Sequence, residues 1–134
     1  MNGFLIDTNV LSEYNRPGGP NAGARTSARL SVITLAEIQK GIELLDEGKR
    51  RTQLEQWLMQ DLETWFSGRV LYVDRQVSRR WASLVAQGTR RGRPLPTVDS
   101  LIAATALAHD LTIVTRNVRD FETTGAATLN PWSP

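Results

Sequence analysis

Short apolar runs in this chain alternate with longer stretches in which apolar residues recur every three or four positions. Short runs of this kind, often β-branched, are typical of buried strands. They lie at Phe4–Ile6, Leu30–Ile33, Val70–Val73, Thr112–Thr115 and, as a last edge strand, Ala127–Leu129. Because strands separated by helices favour parallel pairing, the pattern predicts a three-layer α/β/α fold with a mainly parallel four- or five-stranded sheet.

The longer stretches have the i, i+3, i+4 spacing of amphipathic helices. One helix is predicted to open at Thr34 and to end at Gly48. Others are predicted from near Val10 and over Arg50–Phe66, Arg75–Gln87 and Ser100–His109. The last of these is apolar on nearly every side, which indicates a buried helix. The segments Arg16–Arg29 and Gly88–Pro96 are rich in Gly, Pro or Arg and are predicted to be loops.

Composition narrows the class of protein. A chain of 134 residues predicts one domain, residues 1–134, and its 40% apolar and 22% charged content is that of a soluble globular protein. The chain has no cysteine, which excludes disulfides, thiolate zinc sites and cysteine nucleophiles. The N-terminus lacks a signal-peptide pattern and no apolar run could span a membrane, so we expect a cytoplasmic protein.

Four acidic residues stand where helices and strands begin or end. Asp7 directly follows the first strand, and Asp120 lies just past the strand that ends at Thr115. Glu37 and Asp99 fall in the first turns of predicted helices. Right-handed crossovers should bring the carboxyl ends of the strands to one edge of the sheet, where ligands bind in open α/β folds. The acids are therefore predicted to converge there.

Each of these acids also has a purely structural explanation. The spacing Thr34-x-x-Glu37 is that of a capping box. Asp99 would be an ordinary first-turn acid after an N-cap at Thr97, and Asp7 could cap the helix near Val10. Capping does not explain why four such acids should meet at one sheet edge.

Clustered carboxylates repel one another unless protons or cations intervene. Oxygen-only ligands select a hard cation, Mg²⁺ or Mn²⁺, which can activate water and orient it toward a phosphodiester. The single histidine, His109, is predicted to sit at a helix C-terminus, where it caps the macrodipole. This placement argues against chemistry based on histidine.

The net charge of +2 does not by itself indicate a nucleic-acid partner. Arginine nevertheless supplies most of the positive charge, and its planar fork suits phosphate. The cluster formed by Arg90, Arg91 and Arg93 is a candidate RNA-binding loop, and the alternative is an ordinary solvated basic surface.

Three blocks of sequence resemble a known family. They are LIDTNVLSE at Leu5–Glu13, SVITLAEIQKGIELL at Ser31–Leu45 and PTVDSLIAATALAHDLTIVTRNVRDF at Pro96–Phe121. In order and content they resemble PIN-domain ribonucleases, and more narrowly the VapC-type toxins of bacterial toxin–antitoxin pairs. The blocks cover a little over a third of the chain.

The resemblance implies an endoribonuclease that depends on Mg²⁺ or Mn²⁺ and whose acids are Asp7, Glu37, Asp99 and Asp120. Asp7 and Asp99 would bind the metal, with Glu37 and Asp120 as further ligands. The family places its fourth acid at one of two nearby positions, and here the earlier is Asn117, which leaves Asp120. Three polar neighbours would position water or phosphate: Asn9, Thr115 and Asn117.

The resemblance also implies partners. These are RNA, with transfer RNA as one substrate class, and a cognate VapB-type antitoxin that blocks the acidic site. A homodimer is expected, and DNA would be contacted only through the antitoxin. The segment Arg16–Arg29 is shorter than the corresponding region of the family, which bears on substrate range. The alternative function is a catalytically silent PIN-like module that acts only through partner contacts.

Overall fold

The structure, a computed structural model, describes residues 3–14 and 28–132, so most of the predicted loop Arg16–Arg29 lies outside the described residues. Within them, five strands pair in parallel in the order β3-β2-β1-β4-β5. The strands are β1 (Phe4–Ile6), β2 (Ala28–Ser31), β3 (Val70–Leu71), β4 (Thr112–Val114) and β5 (Thr128–Leu129). The predicted edge strand is therefore present, and β2 begins and ends two residues earlier than expected.

Both faces of the sheet are covered by apolar side chains. Along β1, Ile6 packs into one cluster with the helices that follow β1 and β2, while Leu5 packs into a second cluster with Ile102 and Phe121. In β4, Val114 and Ile113 divide between the clusters in the same way. This alternation gives two hydrophobic layers, so the predicted three-layer α/β/α architecture is confirmed.

Helices cover both faces of the sheet. They are α1 (Thr8–Tyr14), α2 (Val32–Glu43), α3 (Lys49–Gln56), α4 (Glu63–Trp65), α5 (Arg75–Arg90) and α6 (Thr97–His109), with a 3₁₀ helix over Val118–Thr124. No helix in the described ranges is both long and apolar enough to cross a lipid bilayer.

The start of α2 differs from the expected capping box. The helix begins at Val32, and its N-cap is Ser31, whose hydroxyl accepts a hydrogen bond of 3.0 Å from the backbone N–H of Ile33. Thr34 is already inside the first turn and is buried, and its hydroxyl has no hydrogen-bond partner. The capping-box explanation for Glu37 is therefore wrong. Strand β2 ends at Ser31, three residues before Thr34, so α2 has already begun when the chain reaches Thr34.

The predicted helix Arg50–Phe66 is interrupted by a π-helical segment, Trp57–Leu62, between α3 and α4. The three buried side chains here are Leu58, Leu62 and Phe66, spaced four apart. A π-helix has more residues in each turn than an α-helix, so residues four apart stay closer to one face. The wider turn therefore keeps all three against the sheet.

Helices α5 and α6 form an antiparallel pair. Helix α5 runs to Arg90, three residues beyond its predicted end, so only the last part of Gly88–Pro96 is a loop. Helix α6 starts at Thr97, not Ser100, and its N-cap is Pro96, so the predicted Thr97 cap is wrong. The helix ends at His109, as predicted, followed by Asp110 in the left-handed conformation.

The corrected start of α2 makes a stability prediction. Ser31→Ala should lower the free energy of unfolding by about 1 kcal/mol, because it removes the hydroxyl that accepts from Ile33 N–H. Thr34→Val should keep the free energy of unfolding within about 0.5 kcal/mol of the wild-type value or increase it, because the substitution replaces a buried, unpartnered hydroxyl with a methyl group. Urea unfolding measures the free energy of unfolding of both variants. A larger loss in Thr34→Val than in Ser31→Ala would show that Thr34 is the cap after all.

Candidate active site

The carboxyl ends of β1 and β4 meet at one edge of the sheet. The register pairs Ile6 with Val114, so the next residues, Asp7 and Thr115, leave their strands side by side. Their backbones remain tied to the sheet, because Asp7 N–H donates to the Val114 carbonyl at 3.0 Å and Thr115 N–H to the Leu129 carbonyl at 3.0 Å. Both residues are thus fixed in position by the sheet itself.

Hydrogen bonds hold the Asp7 carboxylate in a defined orientation. The buried Thr115 hydroxyl donates to Asp7 Oδ2 at 2.8 Å, and the Thr8 backbone N–H donates to Oδ1 at 2.9 Å. The Asn9 amide, Nδ2, lies 3.4 Å from Oδ2 and 3.3 Å from the Thr115 hydroxyl, to which it donates. Asp7 therefore also serves the start of α1, so the capping and site explanations for Asp7 coexist.

The predicted polar neighbours act mainly on Asp7. Asn9 accepts from the Arg116 backbone N–H at 3.1 Å, which fixes its amide, and Thr115 accepts from the Asn117 backbone N–H at 3.0 Å. Asn117 thus contributes its backbone, while its side chain is exposed. For Asn9 and Thr115 the structure provides a clear role, which is to orient the first aspartate.

Asp99 is placed by an anchored helix start. It lies in the first turn of α6, where the following residue, Ser100, is buried. The Ser100 hydroxyl donates to the Thr97 carbonyl at 2.8 Å and accepts from the Trp81 indole N–H of α5 at 2.9 Å. This link between the two helices fixes the turn that carries Asp99. Trp81 was not predicted from the sequence to contribute to the site.

Charges of the predicted acids act on both Asp99 and Asp7. Burial raises the pKa of Asp99, and the charges of Asp120, Asp7 and Glu37 raise it further. Burial likewise raises the pKa of Asp7, and Asp120 adds to this effect, although the hydrogen bonds from Thr115 and Thr8 oppose it. Ionising Asp7 and Asp99 is therefore unfavourable without a compensating positive charge.

The remaining two acids lie at the margin of the site. Glu37 is half-buried on α2, and its Oε2 is 2.9 Å from the Lys40 ammonium. Asp120 is exposed in the 3₁₀ helix, where its backbone N–H donates to the Asn117 carbonyl at 3.0 Å. Both contribute negative charge, and neither is held by side-chain hydrogen bonds in the way that Asp7 is.

The donor set fits a hard divalent cation that keeps part of its water shell. Every candidate ligand is a carboxylate oxygen, and the only histidine lies at the far end of α6 from Asp99. In the described ranges, no three or more His, Asp or Glu side chains form a ready-made metal cage. Mg²⁺ is usually bound through one or two carboxylates with retained waters, which suits Asp7 and Asp99 as the principal ligands.

One contact near the site, between an arginine and a tryptophan, was not predicted from the sequence. The Arg116 guanidinium lies 3.9 Å from the centre of the Trp132 ring, which is 40% exposed. Arg116 follows Thr115 directly, and Trp132 reaches it because β5 pairs with β4. No local signal could have joined residues sixteen positions apart; only the strand pairing does so.

The predicted RNA-binding arginines divide between helix and loop. Arg90 is the last residue of α5, while Arg91 and Arg93 line a cavity of about 480 Å³ together with Leu95 and Glu122. Glu122 belongs to the same 3₁₀ helix as Asp120, so this basic cavity adjoins the element that carries the fourth acid.

Thr115→Val should make the activity of the site more sensitive to acid. The Thr115 hydroxyl lowers the pKa of Asp7, so its loss raises that pKa further and Asp7 ionises only at higher pH. RNA cleavage at pH 6 should fall about tenfold or more, with a smaller loss at pH 8. Thr115→Ser, which keeps the hydroxyl, is the control. A uniform loss at every pH would show that Thr115 acts only on structure.

Asp99→Asn should stabilise the metal-free protein at neutral pH. A raised pKa in the folded state means that this group favours folding below its unfolded pKa and opposes it as pH rises through the folded pKa. An amide cannot ionise, so the melting temperature in EDTA should rise by about 2 °C at pH 7. The gain should vanish below the usual aspartate pKa of 3.8.

Asp46→Asn, at an exposed loop position, removes the same charge outside the site and is the matched control for that measurement. A melting temperature that rises equally in both variants, or falls only in Asp99→Asn, would contradict the repulsion inferred at the sheet edge.

Known proteins resemble this chain along nearly its whole length. The plasmid stability protein StbB of Pseudomonas syringae pv. tomato is 39% identical over 137 residues, covering 96% of this chain and 98% of its own. The VapC ribonuclease Y4jK of Sinorhizobium fredii is 36% identical over 138 residues, covering 98% and 99%. The tRNA(fMet)-specific endonuclease VapC of Shigella flexneri is 27% identical over 135 residues, covering 97% and 98%.

Solved structures show the same fold. FitAcB from Neisseria gonorrhoeae superposes with a TM-score of 0.83 at 35% identity, covering 98% of this chain and 99% of the matched chain. DNA-bound VapBC from Salmonella typhimurium superposes with a TM-score of 0.76 at 27% identity, covering 98% and 99%. The sequence profile of the PIN domain matches residues 4–126. This chain therefore belongs to the PIN-domain family, in the branch of the VapC-type toxins.

Proposed function

We propose that this chain is the endoribonuclease toxin of a toxin–antitoxin pair and that it cuts RNA phosphodiester bonds at the acidic edge of its sheet with Mg²⁺ or Mn²⁺. The observation that carries the proposal is that three hydrogen-bond donors hold the Asp7 carboxylate at the sheet edge, where Asp7 and Asp99 both have raised pKa values and the charges of nearby acids repel Asp99. A cation relieves that repulsion, and a phosphodiester is the substrate for which such a site is suited.

Each residue of the site has a distinct part in the proposal. Asp7 and Asp99 hold the cation, and Thr115 and Asn9 keep the Asp7 carboxylate oriented through the contacts that the sheet edge provides. Glu37 and Asp120 add negative charge around it and are further ligands. When bound, the cation would lower the pKa of a water molecule and neutralise charge on the scissile phosphate.

The relatives support the substrate class and the partner. One relative is named a VapC ribonuclease and another a tRNA(fMet)-specific endonuclease, and we extend RNA, with transfer RNA as one class, to this chain. A similar structure is a DNA-bound VapBC, so we propose a VapB-type antitoxin as partner and DNA contact only through it. Homodimer formation, a cytoplasmic location and a single domain over residues 1–134 stay predictions.

The competing function is a catalytically silent module that acts only by binding partners. A role at the start of α1 explains the hydrogen bond from Thr8 to Asp7, but it does not explain the further acids whose charges act on Asp99 and Asp7. The two functions differ in one measurable property, which is cleavage that requires metal.

The direct test is cleavage of total RNA by the purified protein in Mg²⁺ or Mn²⁺ and in EDTA. We expect discrete products in either metal and none in EDTA. The cleavage rate of Asp99→Asn should be lower by about 100-fold or more. Asp46→Asn should cleave like the wild type, since the exposed Asp46 lies in the loop after α2 and outside the site.

A protein that is folded and free of antitoxin, yet leaves RNA intact in both metals, would favour the silent module. Cleavage that persists in EDTA or in Asp99→Asn would contradict the metal-dependent site while leaving the PIN fold unaffected.

A further inference from the structure

A long groove on the α5 side of the molecule plays no part in the acidic site. Three adjoining cavities of about 670, 390 and 480 Å³ follow α5 from its first turn to the loop beyond its end. The first and second share Arg80, Ser83 and Leu107, and the second and third share Leu84 and Gln87. They therefore form one continuous depression, called here the α5 trough.

The trough is strongly basic. Its lining includes five arginines, with Glu122 as its sole carboxylate: Arg75, Arg79, Arg80, Arg91 and Arg93. All five are exposed, and none forms an ion pair within the part of the chain that the structure describes. Their guanidinium groups are thus available to a ligand from solution.

The order of residues along α5 explains the shape of this surface. Positions 75, 79, 83, 87 and 91 recur every four residues and so lie along one slowly winding stripe of the helix. They carry Arg, Arg, Ser, Gln and Arg, all of which are hydrogen-bond donors. The stripe is about 24 Å long. A row of donors of this length suits an extended chain of phosphates and hydroxyls, not a compact anion.

The trough is lined in part by elements that also carry two of the acids. At one end, Leu95 and Glu122 line it, and they lie four residues before Asp99 and two residues after Asp120 in the chain. At the other end, Ala108 lines it, nine residues or about 14 Å along α6 from Asp99. The Gln76 amide, which donates to the Ala108 carbonyl at 3.1 Å, holds the two helices together there.

We propose that the α5 trough binds the RNA backbone beyond the cleaved bond, so that Arg75, Arg79 and Arg80 contact phosphates at a distance from the acids. This inference rests on the proposed ribonuclease function and extends it to a binding track for long substrates. Arginine is the residue best suited to this task, because its planar fork binds phosphate through two hydrogen bonds. The loop arginines, Arg91 and Arg93, form the part of the track nearest the acids.

The test compares a double variant with a charge-matched control. Arg75→Gln with Arg79→Gln removes two charges from the trough, and Lys49→Gln with Arg50→Gln removes two exposed charges from α3. Binding of a fluorescein-labelled transfer RNA is measured by anisotropy in EDTA over a series of salt concentrations. EDTA separates this test from catalysis, so failure of metal-dependent cleavage would not affect it.

We expect the trough variant to bind about tenfold more weakly and its salt slope to fall by about 1.4 to 1.8, as the loss of two phosphate contacts predicts for single-stranded and duplex segments of transfer RNA. Arg75→Lys with Arg79→Lys should keep the slope.

Three results would overturn the proposal. Unchanged RNA affinity in the trough variant would show that the trough is ordinary surface. An equal loss of affinity in the α3 control would show that the effect depends only on total charge. A change in molecular mass of the trough variant in light scattering would assign the trough to an interface between copies of this chain.

Discussion

Asp7 carries a charge at the point where the central strand of a doubly covered sheet ends, and an ionised carboxylate there is costly unless it is held and compensated. The fold itself holds the carboxylate in place. Parallel pairing of β1 with β4 brings Thr115 beside Asp7, and the Thr115 hydroxyl, itself buried, donates to the carboxylate at 2.8 Å. The rest of the site is built around this fixed group, since Asn9 and the Asn117 backbone N–H bond to the same hydroxyl.

The proposed source of compensating charge is a bound divalent cation. Burial raises the pKa values of Asp99 and Asp7, and the neighbouring acids raise them further, so ionised carboxylates at this edge repel one another in the folded protein without metal. Such repulsion is a cost to stability that a protein can maintain only if a ligand removes it when the protein works. The proposed hard cation would relieve this repulsion and would also attract the phosphates of the proposed RNA substrate. The anchoring of α6 through Ser100 and Trp81 keeps Asp99 in position whether or not the cation is bound.

Much of this arrangement was predictable from sequence, because the apolar runs identify strands and the acids that follow them locate the sheet edge. The charges of Asp7, Glu37 and Asp120 all act on Asp99, as a shared sheet edge requires, while their roles as metal ligands stay predictions. The helix starts were predicted less well: Ser31, not Thr34, caps α2, since the cap is decided by where β2 ends. The hydrogen bond between Thr115 and Asp7 joins residues 108 positions apart, and the contact of Arg116 with Trp132 depends on strand pairing. Neither has a local sequence signal.

The central claim is that Asp7 and Asp99 together hold a divalent cation, and titration of the protein with Mn²⁺ in a calorimeter tests it most directly. Because both carboxylates have raised pKa values, Mn²⁺ should bind in a saturable manner, release protons into the buffer and bind more weakly as the pH is lowered. In Asp99→Asn the saturable binding should be lost. Saturable binding that is unchanged in this variant, or absent from the wild type, would contradict the claim.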